Sequence, residues 1–391
     1  MQTSEFQTNA SDLCFPSFGF MPAGLRSGPA DATLALTVRP PHLLLRRKPS
    51  NETLNAHVTA GYRTVLGASE PSELQFRSLA GPQAQHLAMH TFQLNTGSKI
   101  PAVALGTWQS EPGRVKSAVA HALNVGYRHV DCAFVYGNEN EVGQGLAEAF
   151  KAGIKREDVF VTSKLWNTFH RDPEKCLDET LRRLGLDYVD LYLIHWPVPM
   201  NPNGNDPLFP KHPDGSRDLD TDIAHWETWS NMENLLTTGK TSAIGVSNYS
   251  VKYLEELLSH CDVVPAVNQI ENHPYLPQKD IHDFCKAKGI LVEAYSPLGS
   301  TDSPLFEEPA VKALANQYHV SPGTILISYQ VSRGHVALPK SVTPGRIEEN
   351  LRLIQLGEDD LKALDSIHES RGTKRFVYPP FGVDLGFPDK Q

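Results

Sequence analysis

Short apolar runs alternate with amphipathic stretches from about residue 90 to the end of the chain, and this alternation constrains the fold more than any other feature. The apolar runs are rich in Val, Ile and Leu, which is typical of strands buried on both faces of a parallel sheet. Eight such strand–helix units fit within about 300 residues, which predicts an α/β fold, the (β/α)8 TIM barrel. The predicted strands are 103–108, 129–133, 160–165, 188–196, 242–248, 266–270, 291–296 and 336–341. The predicted helices include 117–123, 140–150, 173–184, 223–236, 251–258 and 280–287.

A β-hairpin is predicted ahead of the barrel, because the apolar segments 91–94 and 100–103 flank the turn sequence NTGS. The alternative for alternating strands and helices is an open, doubly wound sheet, which binds dinucleotides through a G-x-G-x-x-G turn. That turn is absent from the sequence, because Gly143 and Gly145 are followed by Glu148 at the place of the third glycine. The barrel is therefore the preferred prediction.

Residues 1–88 differ from the rest of the chain: Pro, Gly, Ser and Thr recur, and no periodicity persists. A segment of this kind buries too little apolar surface to offset its chain entropy. We expect a disordered N-terminal extension over 1–88 and one barrel domain over 89–391. Met89 is the candidate for a natural start of translation, which would leave the extension out. An alternative is a mitochondrial transit peptide, which the arginines of this segment favour and its acidic residues oppose.

The net charge of −9 argues against nucleic-acid binding, which needs a basic face opposite the phosphates. A membrane partner is not expected either, since no apolar run approaches the roughly 20 residues of a membrane span. The five cysteines are dispersed, without the spacing of a zinc site, which suits a reducing compartment. We therefore expect a cytoplasmic protein without a bound metal.

Polar side chains follow several predicted strands at their carboxyl ends, where (β/α)8 barrels carry their chemistry. Asp131, Lys164 and His195 end three successive strands, and Tyr136 comes shortly after the first of them. A neighbouring ammonium favours the phenolate, so we expect Lys164 to lower the pKa of Tyr136 from its ordinary value of about 10. Asp131 would hold Lys164, and His195 would donate a hydrogen bond to a carbonyl oxygen. This set protonates an oxyanion but supplies no electrons, so it implies a hydride donor.

The segment after the eighth predicted strand contains cations that suit a phosphate group. Lys340 and Ser341 end the strand, and Arg346 precedes the predicted helix 347–354. Lysine contributes a point charge and arginine a planar fork, and together they form a cradle for a phosphomonoester. The alternative is a solvated basic turn.

These residues belong to a series of motifs that resembles the aldo-keto reductases. The resemblance begins at about residue 92, extends to the end of the chain, and keeps the order of the family's motifs. The motifs are LGTW at 105–108, GYRHVDCA at 126–133, YGNENEVG at 136–143, SKLW at 163–166, LIHWP at 193–197, IGVSNY at 244–249, NQ at 268–269, AYSPLG at 294–299 and LPKS at 338–341.

The resemblance implies a catalytic tetrad of Asp131, Tyr136, Lys164 and His195, with Tyr136 as the general acid. It also implies NADPH or NADP+ as the cofactor, in preference to NADH. The implied cofactor contacts include Gly106, Thr107, Trp108, Ser296 and Leu298. The carboxamide is implied to contact Ser247, Asn248 and Gln269, and the nicotinamide ring to stack on Tyr295. The 2′-phosphate is implied to contact Lys340, Ser341 and Arg346, and the adenine to contact Glu349 and Asn350. The implied walls of the substrate pocket are Trp108, Val135, Trp166 and Trp196.

The long Pro- and Asn-rich loop 197–220, together with the segment 268–277, is similar to the fungal NADP-dependent glycerol dehydrogenases of this family. The resemblance therefore implies reversible reduction of glyceraldehyde or dihydroxyacetone to glycerol. It also implies a monomer whose only expected partner is this small carbonyl or alcohol substrate. Two alternatives stay open: a reductase of another sugar, sugar acid or secondary metabolite, and a non-catalytic NADPH-binding regulatory subunit. A short-chain dehydrogenase is disfavoured, because Pro277 lies between Tyr275 and Lys279, which such an enzyme needs on one helix.

Overall fold

A computed structural model of the protein describes residues 90–300 and 303–390, so the extension expected over 1–88 lies outside the described residues. The described part begins with the predicted hairpin. Strands β1 (Thr91–Gln93) and β2 (Lys99–Pro101) pair antiparallel, with Phe92 opposite Ile100. Gly97 has φ +87° in the turn, in the left-handed region that glycine adopts without strain.

The next eight strands form one parallel sheet in chain order. The sheet closes, because the backbone of Val103 bridges to Ala337 and that of Gly106 bridges to Lys340. The predicted (β/α)8 barrel is therefore confirmed, and the doubly wound alternative is wrong. The barrel strands are β3 (Leu105–Gly106), β4 (His129–Asp131), β5 (Phe160–Leu165), β6 (Val189–Ile194), β7 (Thr241–Ser247), β8 (Val267–Glu271), β9 (Leu291–Tyr295) and β10 (Val336–Leu338).

Helices lie between the barrel strands, and two follow the last strand. The predicted segment 173–184 is a helix over the same residues, because Asp172 caps its first turn by accepting a hydrogen bond from the backbone of Lys175 at 3.2 Å. Gly185, with φ +66°, ends it. The helices are α1 (Val115–Asn124), α2 (Glu139–Lys151), α3 (Pro173–Leu184), α4 (His225–Leu235), α5 (Val251–Leu258), α6 (Lys279–Lys288), α7 (Pro309–Tyr318), α8 (Pro322–Ser332), α9 (Pro344–Asn350) and α10 (Glu358–Arg371).

Several predicted helices differ from the structure by one or two residues at an end, and one predicted helix is displaced along the sequence. The segment 347–354 was expected to be helical with Arg346 ahead of it, but α9 begins at Pro344 and ends at Asn350. Proline fits the first position of a helix, where its missing N–H has no partner to lose. Arg346 therefore lies within the first turn of α9 rather than before it.

Two apolar layers hold the barrel together. The outer layer packs the sheet against the surrounding helices, with Val119, Leu146 and Leu177 fully buried. A second cluster joins Leu94 and Ile100 of the hairpin to strand residues such as Leu191, so the hairpin packs against the barrel strands. In residues 90–300 and 303–390, no helix has the length and apolar character needed to cross a membrane.

Candidate active site

The predicted tetrad assembles at the carboxyl ends of three adjacent strands. Asp131 is the last residue of β4, Lys164 is near the end of β5, and His195 follows β6 directly. Tyr136 lies on a short 3-10 turn, Phe134–Tyr136, after β4. Because β4, β5 and β6 are neighbours in the sheet, residues separated by more than sixty positions in the sequence share one site.

Asp131 and Lys164 form a buried ion pair. The Nζ atom of Lys164 lies 2.8 Å from both carboxylate oxygens of Asp131 and also donates to the backbone oxygen of Cys132 at 2.9 Å. The lysine is 0% exposed. Burial, the largest single cause, would lower its pKa, but the charge and hydrogen bonds of Asp131 together with the nearby Tyr136 and Cys132 raise the pKa of Lys164 above its ordinary value. The ammonium is therefore fixed in place and stays protonated.

Tyr136 lies within reach of this ammonium, with its Oη atom 3.4 Å from Nζ of Lys164. Lys164 acts on the phenol in the expected direction, but the expectation that the pKa of Tyr136 falls below its ordinary value is wrong. Burial raises the pKa of Tyr136 to about 12, and the opposing effect of Lys164 is smaller. The expectation failed because the sequence shows which charges are close together but not how much water is removed. Since Nζ donates to Oη, the phenol hydrogen remains available to a third group.

His195 completes one side of the site. Burial, reinforced by the charge of Lys164, lowers the pKa of His195 well below its ordinary value, so the imidazole is neutral. Its ring lies 5.7 Å from that of Tyr136, measured between centroids, and Nδ1 has no hydrogen-bond partner within the described chain. A neutral imidazole carries one N–H, which suits it to donate to a carbonyl oxygen.

The side chains expected to hold the nicotinamide carboxamide are connected to one another. Asn248, which has φ +63°, donates from Nδ2 to the backbone oxygen of His195 at 2.9 Å and accepts from the hydroxyl of Tyr295 at 2.8 Å. Ser247 donates to the backbone oxygen of Gln269 at 2.9 Å. These contacts order the expected binding surface without a ligand.

Gln269 extends this network into the barrel, where it reaches an acid that the sequence analysis missed. Its Nε2 donates to Asp131 at 3.0 Å and to Glu293 on β9 at 2.8 Å. Burial, followed by the charge of Asp131, raises the pKa of Glu293 to about 8. The signal available in the sequence was an acidic residue in a strand that is otherwise apolar.

The expected phosphate cradle is exposed, unlike the tetrad. Lys340 and Arg346 both lie at the surface, and Nζ of Lys340 donates to the backbone oxygen of Gln109 at 3.0 Å. Partial burial lowers the pKa of Lys340. The remaining expected contacts lie around the same mouth: Gly106, Thr107, Ser341 and Asn350 are buried, and Trp108, Ser296, Leu298 and Glu349 are half-buried.

Gly106 lies where the chain leaves little room. A Cβ atom at this position would lie 3.2 Å from the backbone oxygen of Leu338 across the closure of the barrel. Thr107 then donates to the backbone oxygen of Asp131 at 2.9 Å, which ties the first barrel strand to the tetrad. The LGTW motif therefore has a packing role that the structure makes visible.

The aromatic side chains that were expected to form the pocket walls lie beside His195. Trp166 and Trp196 are buried and Val135 is half-buried, and the ring of Trp166 lies 5.5 Å from that of His195. Phe381, which the sequence analysis missed, packs edge-on against Trp196 at 5.4 Å. A C-terminal residue therefore contributes to the pocket, a contact that no local pattern could indicate.

The long loop 197–220 packs against the same wall. The indole nitrogen of Trp166 donates to the backbone oxygen of Leu208 at 2.6 Å, and the ring of Phe209 lies 5.2 Å from that of Trp166. The guanidinium of Arg217 in turn lies 5.2 Å from the ring centre of Phe209 and donates to its backbone oxygen at 3.0 Å. This loop is therefore in contact with the expected substrate pocket.

One buried carboxylate contributes to the attachment of the C-terminal segment to the barrel. Glu271, the last residue of β8, accepts hydrogen bonds from the backbone N–H groups of Phe376 at 2.7 Å and Val377 at 2.8 Å. Its other contact is with Nε2 of His273 at 2.8 Å. The segment 268–277, noted in the sequence for a different reason, thus anchors the tail that carries Phe381.

No group of three or more His, Cys, Asp or Glu side chains in the described residues is arranged to hold a metal ion. The chemistry available here is proton donation, hydrogen bonding and charge stabilisation.

Comparisons with known proteins agree with the motifs. The chain matches the model of the Aldo/keto reductase family over residues 102–369. It is 57% identical over 304 residues to D-galacturonate reductase from Hypocrea jecorina, an alignment that covers 77% of this chain and 98% of the relative. It is 48% identical over 314 residues to Glycerol 2-dehydrogenase (NADP(+)) from Saccharomyces cerevisiae, covering 77% and 99%. The solved aldose reductase from Schistosoma japonicum matches with a TM-score of 0.70 and 41% identity, over 74% of this chain and 94% of that one.

Proposed function

The chain belongs to the aldo/keto reductase family, and from this premise we propose that it reduces polyhydroxylated aldehydes or ketones to alcohols with NADPH, with Tyr136 as the proton donor. The proposal is carried by the contact of the phenol oxygen of Tyr136 with the ammonium of Lys164 at 3.4 Å, beside His195. The cofactor agrees with the family and with the NADP(+) in the name of one relative.

The residues at the mouth fit such a cofactor. Oε1 of Gln269 accepts no hydrogen bond from the described residues, and it suits the amide donor of a carboxamide. Lys340 and Arg346 are exposed cations on the same side as the closure of the barrel, and they suit the extra phosphate of NADPH. When bound, this cofactor supplies the hydride that the side chains cannot.

Tyr136 donates its proton as an intact phenol. Its raised pKa keeps it protonated at neutral pH, and an alkoxide is a far stronger base than a phenolate, so proton transfer is favourable once negative charge develops on the substrate oxygen. Lys164 then stabilises the phenolate through the contact that already exists. The role of the lysine is thus to stabilise the product of proton transfer rather than to acidify the resting phenol.

His195 and Asp131 position the reacting groups. Neutral His195 orients the carbonyl oxygen by donating one hydrogen bond, since its pKa is too low for a second proton. Asp131 holds Lys164 by two contacts at 2.8 Å and prevents the ammonium from turning towards solvent. Together with the aromatic walls, these groups exclude water from the carbonyl.

For the substrate we propose two candidates of the same chemical class. Glyceraldehyde or dihydroxyacetone, reversibly linked to glycerol, follows from the loop 197–220 and from the glycerol dehydrogenase relative. A hexuronate such as D-galacturonate is favoured by the relative at 57% identity. Arg217 adds a structural argument for the hexuronate, because its guanidinium lies against the ring of Phe209, which contacts Trp166. The charge of Asp206 acts on Arg217, but the two do not form an ion pair within 4.0 Å.

An NADPH-oxidation assay with D-galacturonate, D-glucuronate, D-xylose, glyceraldehyde and dihydroxyacetone tests the proposal. We expect turnover of at least one of these substrates by the wild type and its loss in Tyr136→Phe. If Arg217 recognises a carboxylate, Arg217→Met raises KM for the two uronates and leaves KM for glyceraldehyde unchanged. An equal change for all substrates would assign Arg217 to loop packing instead.

The same assay decides the alternative of a non-catalytic NADPH-binding subunit. That role predicts tight NADPH binding, measured by fluorescence quenching, without oxidation by any carbonyl in the panel. We further propose that residues 89–391 act as a monomeric catalytic domain in the cytoplasm. Sedimentation of the purified chain and microscopy of a tagged copy test these two points.

A further inference from the structure

A column of polar side chains runs through the interior of the barrel, below the tetrad. Barrels of this type usually fill their interior with Val, Ile and Leu. Here Gln269, Glu293 and His129 lie inside, and each is at most 2% exposed. Buried acids are rare unless they are paired, so Glu293 calls for a physical explanation.

Glu293 fixes the orientation of the Gln269 amide. Both hydrogens of Nε2 are used, one on Oδ2 of Asp131 at 3.0 Å and one on Oε2 of Glu293 at 2.8 Å. Since a carboxylate such as Asp131 accepts but does not donate, the amide cannot flip without losing this contact. Oε1 of Gln269 is thereby directed away from the acids as a free acceptor.

The other oxygen of Glu293 has no partner among the described residues. The nearest charged or titratable neighbour on that side is His129, whose Nε2 lies 4.0 Å from Oε1. Burial lowers the pKa of His129 to about 3, so this histidine is neutral and does not neutralise the acid. It is held by Thr162 at 3.0 Å and by the backbone oxygen of Pro101 at 3.3 Å.

We propose that Glu293 is a positioning residue for the reaction: it aligns the Gln269 amide and sets the charge beneath the Asp131–Lys164 pair. The inference rests on the proposed function, because it assumes that the pair supports Tyr136. It adds a residue outside the tetrad whose protonation is coupled to the chemistry. Glu293 is not among the residues expected to touch the reacting atoms or the cofactor, and it acts through its hydrogen bond with Gln269.

The charges that face Glu293 determine the sign of its effect. Asp131 on β4 and Lys164 on β5 are the charged groups, His129 on β4 is neutral, and the register partner on β10 is the apolar Val336. With its pKa raised to about 8, Glu293 is mostly protonated at neutral pH and ionises in mild alkali. The added negative charge then opposes formation of the Tyr136 phenolate, which alcohol oxidation requires.

Two substitutions separate the electrostatic role from the positioning role. Glu293→Gln keeps an oxygen that can accept from Gln269 but removes the ionisable group. We expect the alkaline rise of kcat/KM for alcohol oxidation to move to lower pH by roughly 0.5 to 1 unit, because no new charge opposes the phenolate. NADPH affinity should stay within about twofold of the wild type, since the amide remains aligned.

Glu293→Leu removes the acceptor as well. We expect the same shift of the pH profile and, in addition, NADPH binding weakened by roughly three- to tenfold, because the Gln269 amide can rotate. Affinity is measured by NADPH fluorescence quenching, which does not depend on turnover. A purely structural role would lower the melting temperature of both variants but leave the pH profile unchanged.

Glu139→Gln serves as the matched control. Glu139 is also a buried acid whose pKa is raised by burial, but its contacts are Ser163 and Arg183, outside this column. It should shift neither the pH profile nor NADPH affinity. If Glu293→Gln leaves the alkaline rise in place, the proposal is overturned. If the wild-type protein shows no turnover, the proposed function is overturned instead. In that case the NADPH affinities of the two Glu293 variants still test whether Glu293 aligns Gln269.

Discussion

Two sets of charged side chains lie at the same barrel mouth, and they differ in burial and in the number of hydrogen bonds that hold them. The Asp131–Lys164 pair is buried and each partner is held by several hydrogen bonds before any ligand arrives. Lys340 and Arg346 are exposed, and Lys340 makes a single contact with a backbone oxygen. The first set has a fixed geometry and protonation, whereas the second, in the proposed role, would acquire its geometry from a bound phosphate.

The difference also determines how each set responds to its surroundings. Salt screens exposed charges strongly and buried charges weakly. Removing one partner of a buried pair leaves an uncompensated charge, which costs about 3–5 kcal/mol, whereas exposed pairs contribute about 0–1 kcal/mol. We therefore expect NADPH affinity to depend on ionic strength and the proton-transfer step to be nearly independent of it.

The largest effect is expected for Tyr136→Phe, which removes the proton donor from the buried set. We expect kcat for carbonyl reduction to fall by about 10²–10⁴-fold, because the substitution deletes general-acid catalysis without disturbing Asp131 or Lys164. NADPH absorbance measures turnover, and fluorescence quenching measures affinity, which should be unchanged. Residual activity close to wild type would remove Tyr136 from the role of acid.

The exposed set is tested by the double variant Lys340→Met with Arg346→Met. Each charge-assisted hydrogen bond to a phosphate contributes roughly 1.5–3 kcal/mol, so NADPH affinity should fall by at least about tenfold. NADH affinity and kcat at saturating NADPH should change little. Lys279→Met is a suitable control, because this exposed lysine pairs with Asp283 on α6. Equal weakening of NADPH and NADH would show that the two cations do not distinguish the cofactors.

A buried carboxylate without a chemical role sharpens the comparison. Glu271→Gln halves the acceptor capacity at the backbone N–H groups of Phe376 and Val377, so we expect a loss of about 1–3 kcal/mol in stability. The same change should raise KM severalfold through Phe381, with a smaller effect on kcat. Thermal unfolding and limited proteolysis of the C-terminal segment measure it. An unchanged proteolysis rate would mean that other contacts hold the tail.

The smallest effect is expected from removing residues 1–88. The relatives align over 98–99% of their own length with only 77% of this chain, so the barrel has its counterpart without this segment. A chain beginning at Met89 should keep the kcat, KM and melting temperature of the full chain. A clear loss of kcat, KM or melting temperature would contradict this prediction and would indicate that the segment contributes to the function or stability of the barrel.

Strand positions were the most predictable part of the fold. The predicted strand 160–165 is a strand over the same residues, and all six are buried, as a strand covered on both faces of a parallel sheet requires. The helices α7, α8 and α10 were not predicted. In α8 every residue from Gly323 to Gln330 is buried, so the sequence lacks the amphipathic period by which a helix is recognised.

The site was predictable in its members but not in its electrostatics. The strand ends and motifs predicted that Asp131, Lys164 and Tyr136 lie close together, and the distances among them agree with this prediction. The direction of the Tyr136 pKa shift was wrong, because it depends on burial, which is a property of the whole fold. Glu271 and Glu293 were missed for a related reason: their partners come from distant segments of the chain.

The attachment of the tail by Glu271 has a practical consequence for anyone engineering this protein. The two backbone hydrogen bonds to Glu271 hold the beginning of this segment. Further along, Leu385 and Phe387 pack into the core, and Phe381 packs against Trp196. A purification handle or a fusion partner at the carboxyl end is therefore expected to disturb the contact between Phe381 and Trp196. Proteolysis that removes Phe381 would expose Trp196 in the expected aromatic wall, and we expect it to broaden the range of accepted substrates.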